Sequence, residues 1–68
     1  MAKISVEVGI RIRKRRKENG FSQENFAHHC KLDRSYMGRI ERGEVNITLE
    51  VLYQLADALE CHPKHLLP

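Results

Sequence analysis

The residues that stop and start helices recur so closely along this chain that no long element fits after the first. Gly20, Gly43 and Pro63 interrupt the sequence, and Ser22, Asp33 and Thr48 stand where a helix N-cap belongs. Between these marks the apolar residues repeat with helical spacing. Val8 and Ile12 lie four apart, with Ile4 one turn earlier, and make one stripe of a first helix that Gly20 ends. Ser22 opens a short second helix with Phe26 and Ala27 inward, stopping near His29 or Cys30. Asn25 stands where a capping box has Glu, so that box is incomplete. Asp33 caps a third helix, from about Arg34 to Arg42, with Met37 and Ile40 buried and Gly43 closing it. Thr48 caps a fourth, with Leu49, Leu52, Ala56 and Leu59 on one face. His62 and Pro63 make a cap and first position for a short fifth helix that holds Leu66 and Leu67. The one alternating stretch, residues 4–8, runs directly into a helical period, so strands have no support. The expectation is an all-α fold, a compact five-helix bundle forming a single domain over residues 1–68.

Charge divides the chain. Residues 1–43 carry a net charge of +6 and residues 44–68 carry −3. Such a split suggests one surface for a polyanion and another for a different partner. Nucleic acid and an anionic membrane both fit the charge taken alone. No apolar run approaches the roughly 20 residues that span a bilayer, and the N-terminus lacks the apolar stretch of a signal peptide. A soluble, cytoplasmic protein is expected. Two cysteines, Cys30 and Cys61, are too few for a disulfide framework. A chain this short buries only about 60% of its unfolded surface, which makes self-association an available source of stability. Trp is absent and aromatic residues are few, which argues against stacking of bases on an aromatic platform.

The second and third helices are separated by about four residues, the length of a helix-turn-helix turn, and the motif spans about residues 22–43. Its second helix is rich in groups that read base edges or hold phosphates: Arg34, Ser35, Tyr36, Arg39 and Arg42. A helix fits the major groove of B-DNA, and Arg pairs with guanine O6 and N7 in a fork. In such motifs the N-terminal end of the helix does the reading.

The runs Gly20 to Ala27, Leu32 to Gly43 and Asn46 to Glu50, in that order, resemble the Xre or Cro/C1 repressor-type helix-turn-helix family. The tight pieces Ser22-Gln23-Glu24 and Ile40-Glu41-Arg42-Gly43 are the most specific, and the basic run Arg11 to Lys17 is similar to that family's first helix. The resemblance covers about Val8 to Leu67. It implies a lambda-repressor-like DNA-binding domain and a transcriptional regulator that reads an operator in double-stranded DNA as a homodimer, close to the nucleoid. It also implies residue roles. Gln23 sits over a backbone phosphate, Asp33, Arg34, Ser35 and Arg39 face the major groove, and Tyr36 and Arg42 anchor phosphates. Arg16 and Glu41 form an internal ion pair between helices one and three. Three positions depart from the family pattern. Lys31 stands where Gly is frequent in the turn, Ile47 replaces a common Pro, and Gly38 interrupts the reading helix. If position 31 needs positive φ, Lys costs about 1 kcal/mol there, and a turn of different build is the alternative.

Plainer readings stand beside these. Asp33 is first an N-cap, and Tyr36 is also placed to be a half-buried core aromatic. The basic run winds around a whole helix, so only part of it can face one partner. Val51 and Leu55, with Leu66 and Leu67, form either more core or an apolar dimer interface. His28, His29 and Cys30, and separately Cys61, His62 and His65, fall short of a four-ligand metal set, so no metal is expected. No nucleophile–base arrangement, phosphate-cradling glycine loop, cofactor motif or effector pocket is legible, and the chain has little room for a substrate cleft. Not an enzyme but a binding module is the expectation. An antitoxin, a restriction–modification controller, or a protein-interaction module without sequence readout are its variants.

Overall fold

A computed structural model describes residues 3–68. Four α-helices follow one another: α1 (Lys3–Glu18), α2 (Gln23–His29), α3 (Arg34–Glu41) and α4 (Leu49–Ala58). The expected fifth α-helix is instead a single 3₁₀ turn, Pro63–Leu66. The reason is local. Pro63 has no N–H to give, and the bonds His65 N–H to His62 O and Leu67 N–H to Lys64 O both close over three residues. Among the described residues there is no strand.

The starts of α2, α3, α4 and the 3₁₀ turn are each made by one side chain. Ser22 Oγ accepts the Asn25 N–H at 3.0 Å, and Thr48 Oγ1 accepts the Val51 N–H at 3.1 Å. Asp33 Oδ2 accepts the N–H groups of Ser35 and Tyr36 at 2.9 and 3.3 Å. His62 Nδ1 accepts the Lys64 N–H at 3.1 Å. These satisfy donors that a helix leaves unpaired at its N-terminus.

All four α-helices end alike. After each, one residue turns left-handed, and its successor's N–H reaches back to the last turn, as Phe21 to Arg16 O and Glu44 to Arg39 O. Gly20 and Gly43 hold this position at φ 79° and 74°, but Lys31 and Glu60 also hold it, at φ 59° and 54°. The turn between α2 and α3 therefore keeps its left-handed residue and takes it from Lys, at about 1 kcal/mol against Gly.

The core is one cluster. Val8 and Ile12 of α1 meet Phe26, Ala27 and Cys30 around α2, and Met37 and Ile40 of α3. Leu52, Leu55, Ala56 and Leu59 close it from α4, with Leu66 beneath. Leu55 and Leu66 are 0% exposed, so neither offers surface to a second copy, contrary to the interface expectation. Conversely Ile4 and Leu49, expected inside, are 57% and 73% exposed. Both sit at the open ends of their helices, on the rim of an apolar depression shared with Val45, Ile47 and Leu67. Ile47, in place of the family's frequent Pro, is half-buried against the core.

Helices α1 and α3 approach backbone to backbone. A Cβ on Gly9 would stand 2.5 Å from Ile40 O and 2.6 Å from Glu41 O. At the end of α3, a Cβ on Gly43 would stand 2.5 Å from Val6 Cα. Two glycines thus set how closely α3 is held to α1.

Candidate nucleic-acid interface

The turn of four residues, Cys30 to Asp33, sets α3 across α2. What remains exposed on α3 is polar. Met37, Gly38, Ile40 and Glu41 face inward, while Arg34, Ser35 and Arg39 are exposed. Ser35, Arg39 and the C-cap Arg42 fall at i, i+4 and i+7, one stripe along the solvent side. Arg34 lies on the adjoining stripe, one turn before Gly38. Hydrogen-bond donors thus line a helix face that, among the described residues, no other element covers.

Beneath this face lies the pair Arg16–Glu41. Arg16 Nε donates to Glu41 Oε2 at 2.7 Å and Arg16 Nη2 to Glu41 Oε1 at 3.1 Å. The third nitrogen, Nη1, donates to Phe21 O at 2.9 Å. Gln23 Nε2 adds a bond to Glu41 Oε1 at 3.2 Å. The two side chains are 9% and 4% exposed. One guanidinium therefore joins α1, the loop after it and α3, and Gln23 ties in the start of α2. A buried ion pair of this kind is weak evidence for net stability, but it fixes geometry, because leaving either partner alone is costly.

The other expected residues are placed as follows. The Asp33 carboxylate is committed to capping α3. Tyr36 packs half-buried against the core, and Gln23 is half-buried over Glu41. Arg42 is exposed and paired. Its Nε donates to Glu44 Oε2 at 2.8 Å and its Nη2 to Glu44 Oε1 at 3.3 Å. That hydrogen bond, ahead of the charges of Arg42 and Arg39, holds the Glu44 carboxylate below its usual range, and the same bond raises the Arg42 guanidinium. Val51 is half-buried and Leu67 exposed. Among the described residues no three His, Cys, Asp or Glu side chains gather as a metal site, and no helix is long and apolar enough to cross a membrane.

Sequence reasoning missed Glu44 and Gly9. Glu44 is recognisable only once Gly43 folds the chain back toward Arg42. Gly9 reads as an ordinary weak helix position until α3 is seen to cross it. Gly38 was singled out, and its reason is now visible. A Cβ there would stand 3.1 Å from Arg42 Nη1 and 3.5 Å from Gln23 Oε1, so the bare position gives both side chains their seat.

Comparison with known proteins agrees with this architecture. The control protein C.BamHI of Bacillus amyloliquefaciens is 40% identical over 50 residues, 74% of this chain and 62% of that protein, so less than two thirds of its length is spanned. The control protein C.MunI of a Mycoplasma species is 38% identical over 60 residues, 87% of this chain and 81% of that protein. The crystal structure of the restriction-modification controller protein C.AhdI from Aeromonas hydrophila superposes with a TM-score of 0.86 at 44% identity, covering 90% of this chain and 92% of that one. The helix-turn-helix family pattern matches residues 12–66, and the chain belongs to that family.

Proposed function

We propose that this protein is a transcriptional regulator that binds a specific site in double-stranded DNA, of the restriction–modification controller kind. The observation that carries this is the uncovered face of α3. Arg34, Ser35, Arg39 and Arg42 project from a helix seated on a buried ion pair. Helix α3 enters the major groove, α2 lies across the backbone, and Gln23 and Arg42 meet phosphates. Arg34 and Arg39 are the residues for base edges, with Ser35 beside them. Asp33 orients this end of α3 through its cap, and Tyr36 braces α3 against the core. The controller kind is favoured by the identity with three proteins of that description. The protein works in the cytoplasm, on the nucleoid.

The protein acts as a homodimer through α4 and the C-terminal turn. With Leu55 and Leu66 in the core, the contact falls to the exposed Leu49, Tyr53 and Leu67 and the half-buried Val51. A two-fold dimer then reads half-sites roughly 10 bp apart. Selection of sites from a random duplex pool at about 150 mM salt, where non-specific binding is weak, tests this. A two-fold motif with that spacing is the expected product. A pool without enrichment contradicts sequence reading and favours a module that bridges other proteins.

A further inference from the structure

The basic run of α1 divides between two flanks. Arg11, Lys14 and Arg15 border one depression together with Glu18 and His65, beside the 3₁₀ turn. Arg13 goes the other way. It lines an open notch of about 240 Å³ with Arg16, Gln23, Glu41 and Arg42, where α1, α2 and the end of α3 meet. Three guanidiniums there face one carboxylate.

Every nitrogen and oxygen of the notch floor is already engaged. Arg16 spends all three nitrogens on Glu41 and Phe21 O, and both Glu41 oxygens are taken by Arg16 and Gln23. Arg16 keeps one N–H on each of Nη1 and Nη2 but is buried, so the donors open to a ligand come from the walls. Glu44 holds Arg42 by Nε and Nη2, which leaves Nη1 standing over Gly38, beside the Gln23 amide. The second N–H of Gln23 Nε2 is free, since one bond goes to Glu41. Arg13 makes no hydrogen bond or ion pair among the described residues.

We propose that Arg13, Gln23 and Arg42 together bind one backbone phosphate of the DNA duplex, with Arg13 as a contact from outside the helix-turn-helix and Glu44 as the residue that orients Arg42. The inference rests on the DNA reading above and adds a residue that the motif does not contain. Donors from three directions match a tetrahedral anion with several acceptor oxygens. Gly38 keeps the seat open, and the buried pair keeps its floor rigid. Because a phosphate contact carries no sequence information, Arg13 adds affinity and register without changing the preferred site.

Salt titrations of duplex binding test this with the full chain, on both the selected site and a random duplex. Arg13→Gln is compared with Arg11→Gln, which removes the same charge from the opposite flank. Arg13→Gln is expected to weaken both duplexes equally, roughly tenfold, with the slope of log K against log salt smaller by about 1. Arg11→Gln leaves the slope unchanged. Unfolding midpoints of both variants should match the parent, since both side chains are exposed. Equal effects from the two variants overturn the proposal while leaving the DNA reading intact. So does an Arg13→Gln loss confined to the selected site, which marks a base contact. A parent chain that holds no duplex at all overturns the DNA reading and the phosphate site together.

Discussion

Replacing Gly9 by Ala puts two physical effects in opposition. Gly in a helix interior costs about 1 kcal/mol relative to Ala, so propensity alone predicts a more stable protein. The crossing of α1 and α3 predicts the reverse. The added Cβ would lie 2.5 Å from Ile40 O and 2.6 Å from Glu41 O, both of them backbone, so no rotamer relieves the contact. Restoring ordinary contact at 3.4 Å moves the end of α3 away by 0.9 Å. That movement stretches the Arg16–Glu41 bond, now 2.7 Å, past hydrogen-bonding distance. Overpacking costs about 1–3 kcal/mol, and a lost bond between charged groups about 1.5–3 kcal/mol. After the propensity gain, the net loss is about 1.5–5 kcal/mol. A domain of this size holds roughly 3–10 kcal/mol in all. A loss of 2 kcal/mol alone lowers the melting temperature by at least about 8 °C. Thermal unfolding followed by helical circular dichroism measures it. A melting temperature at or above the parent's refutes the close crossing as a determinant of the fold.

Gly38→Ala makes an instructive contrast, because its new Cβ crowds only the flexible tip of Arg42, at 3.1 Å, and stands at ordinary contact, 3.5 Å, from Gln23 Oε1. Stability should rise by about 0.5–1 kcal/mol in urea unfolding, while duplex affinity falls as Arg42 is displaced from its place beside Gln23. A variant equal to the parent in both assays contradicts this. Glu41→Ala leaves Arg16 buried without its counter-charge and should cost about 3–5 kcal/mol, whereas Arg16→Met with Glu41→Leu should cost far less. Equal losses from the single and the double variant contradict the ion-pair argument. Burial pushes the Cys30 thiol up to about 11 from its ordinary 9.0. Its folded pKa is raised, so its contribution to stability is complete below pH 9 and fades as pH climbs toward 11. Urea midpoints across that range should fall, and a Cys30→Ala variant should lack this part of the fall. Alkylation of native protein should reach Cys61 well before Cys30.

Much of the helix order was legible because its signals are local. Ser22, Asp33, Thr48 and His62 each cap with their own side chain within three residues, so neighbouring sequence suffices to see them. Periodicity was enough for Val8, Ile12 and Met37, which lie mid-helix with neighbours on every side, and for Ile40, which α1 crosses near the end of α3. It misplaced Ile4 and Leu49, since spacing names a face but not whether another element covers the end of that face. Leu55 and Leu66 erred in the other direction. One helix face sufficed for the first core, and the second stripe of α4 still found cover from elsewhere. The Arg16–Glu41 pair, 25 residues apart, follows from no spacing rule and was expected only through family likeness. Glu60 offered no sign at all, because its side chain disfavours the left-handed turn it holds at the end of α4. The Arg42–Glu44 pair and the Arg13 notch depend on how Gly43 turns the chain and on which flank of α1 meets α3. Neither quantity is local.

The central claim is that the exposed face of α3 reads bases. Repeating the random-pool selection with Arg39→Ala tests it most directly. The expected product is a motif of the same spacing in which one position of each half-site loses its preference, with about 1–3 kcal/mol less discrimination there. Recovery of the parent motif unchanged, with binding merely weaker throughout, would contradict it and reduce Arg39 to a phosphate contact.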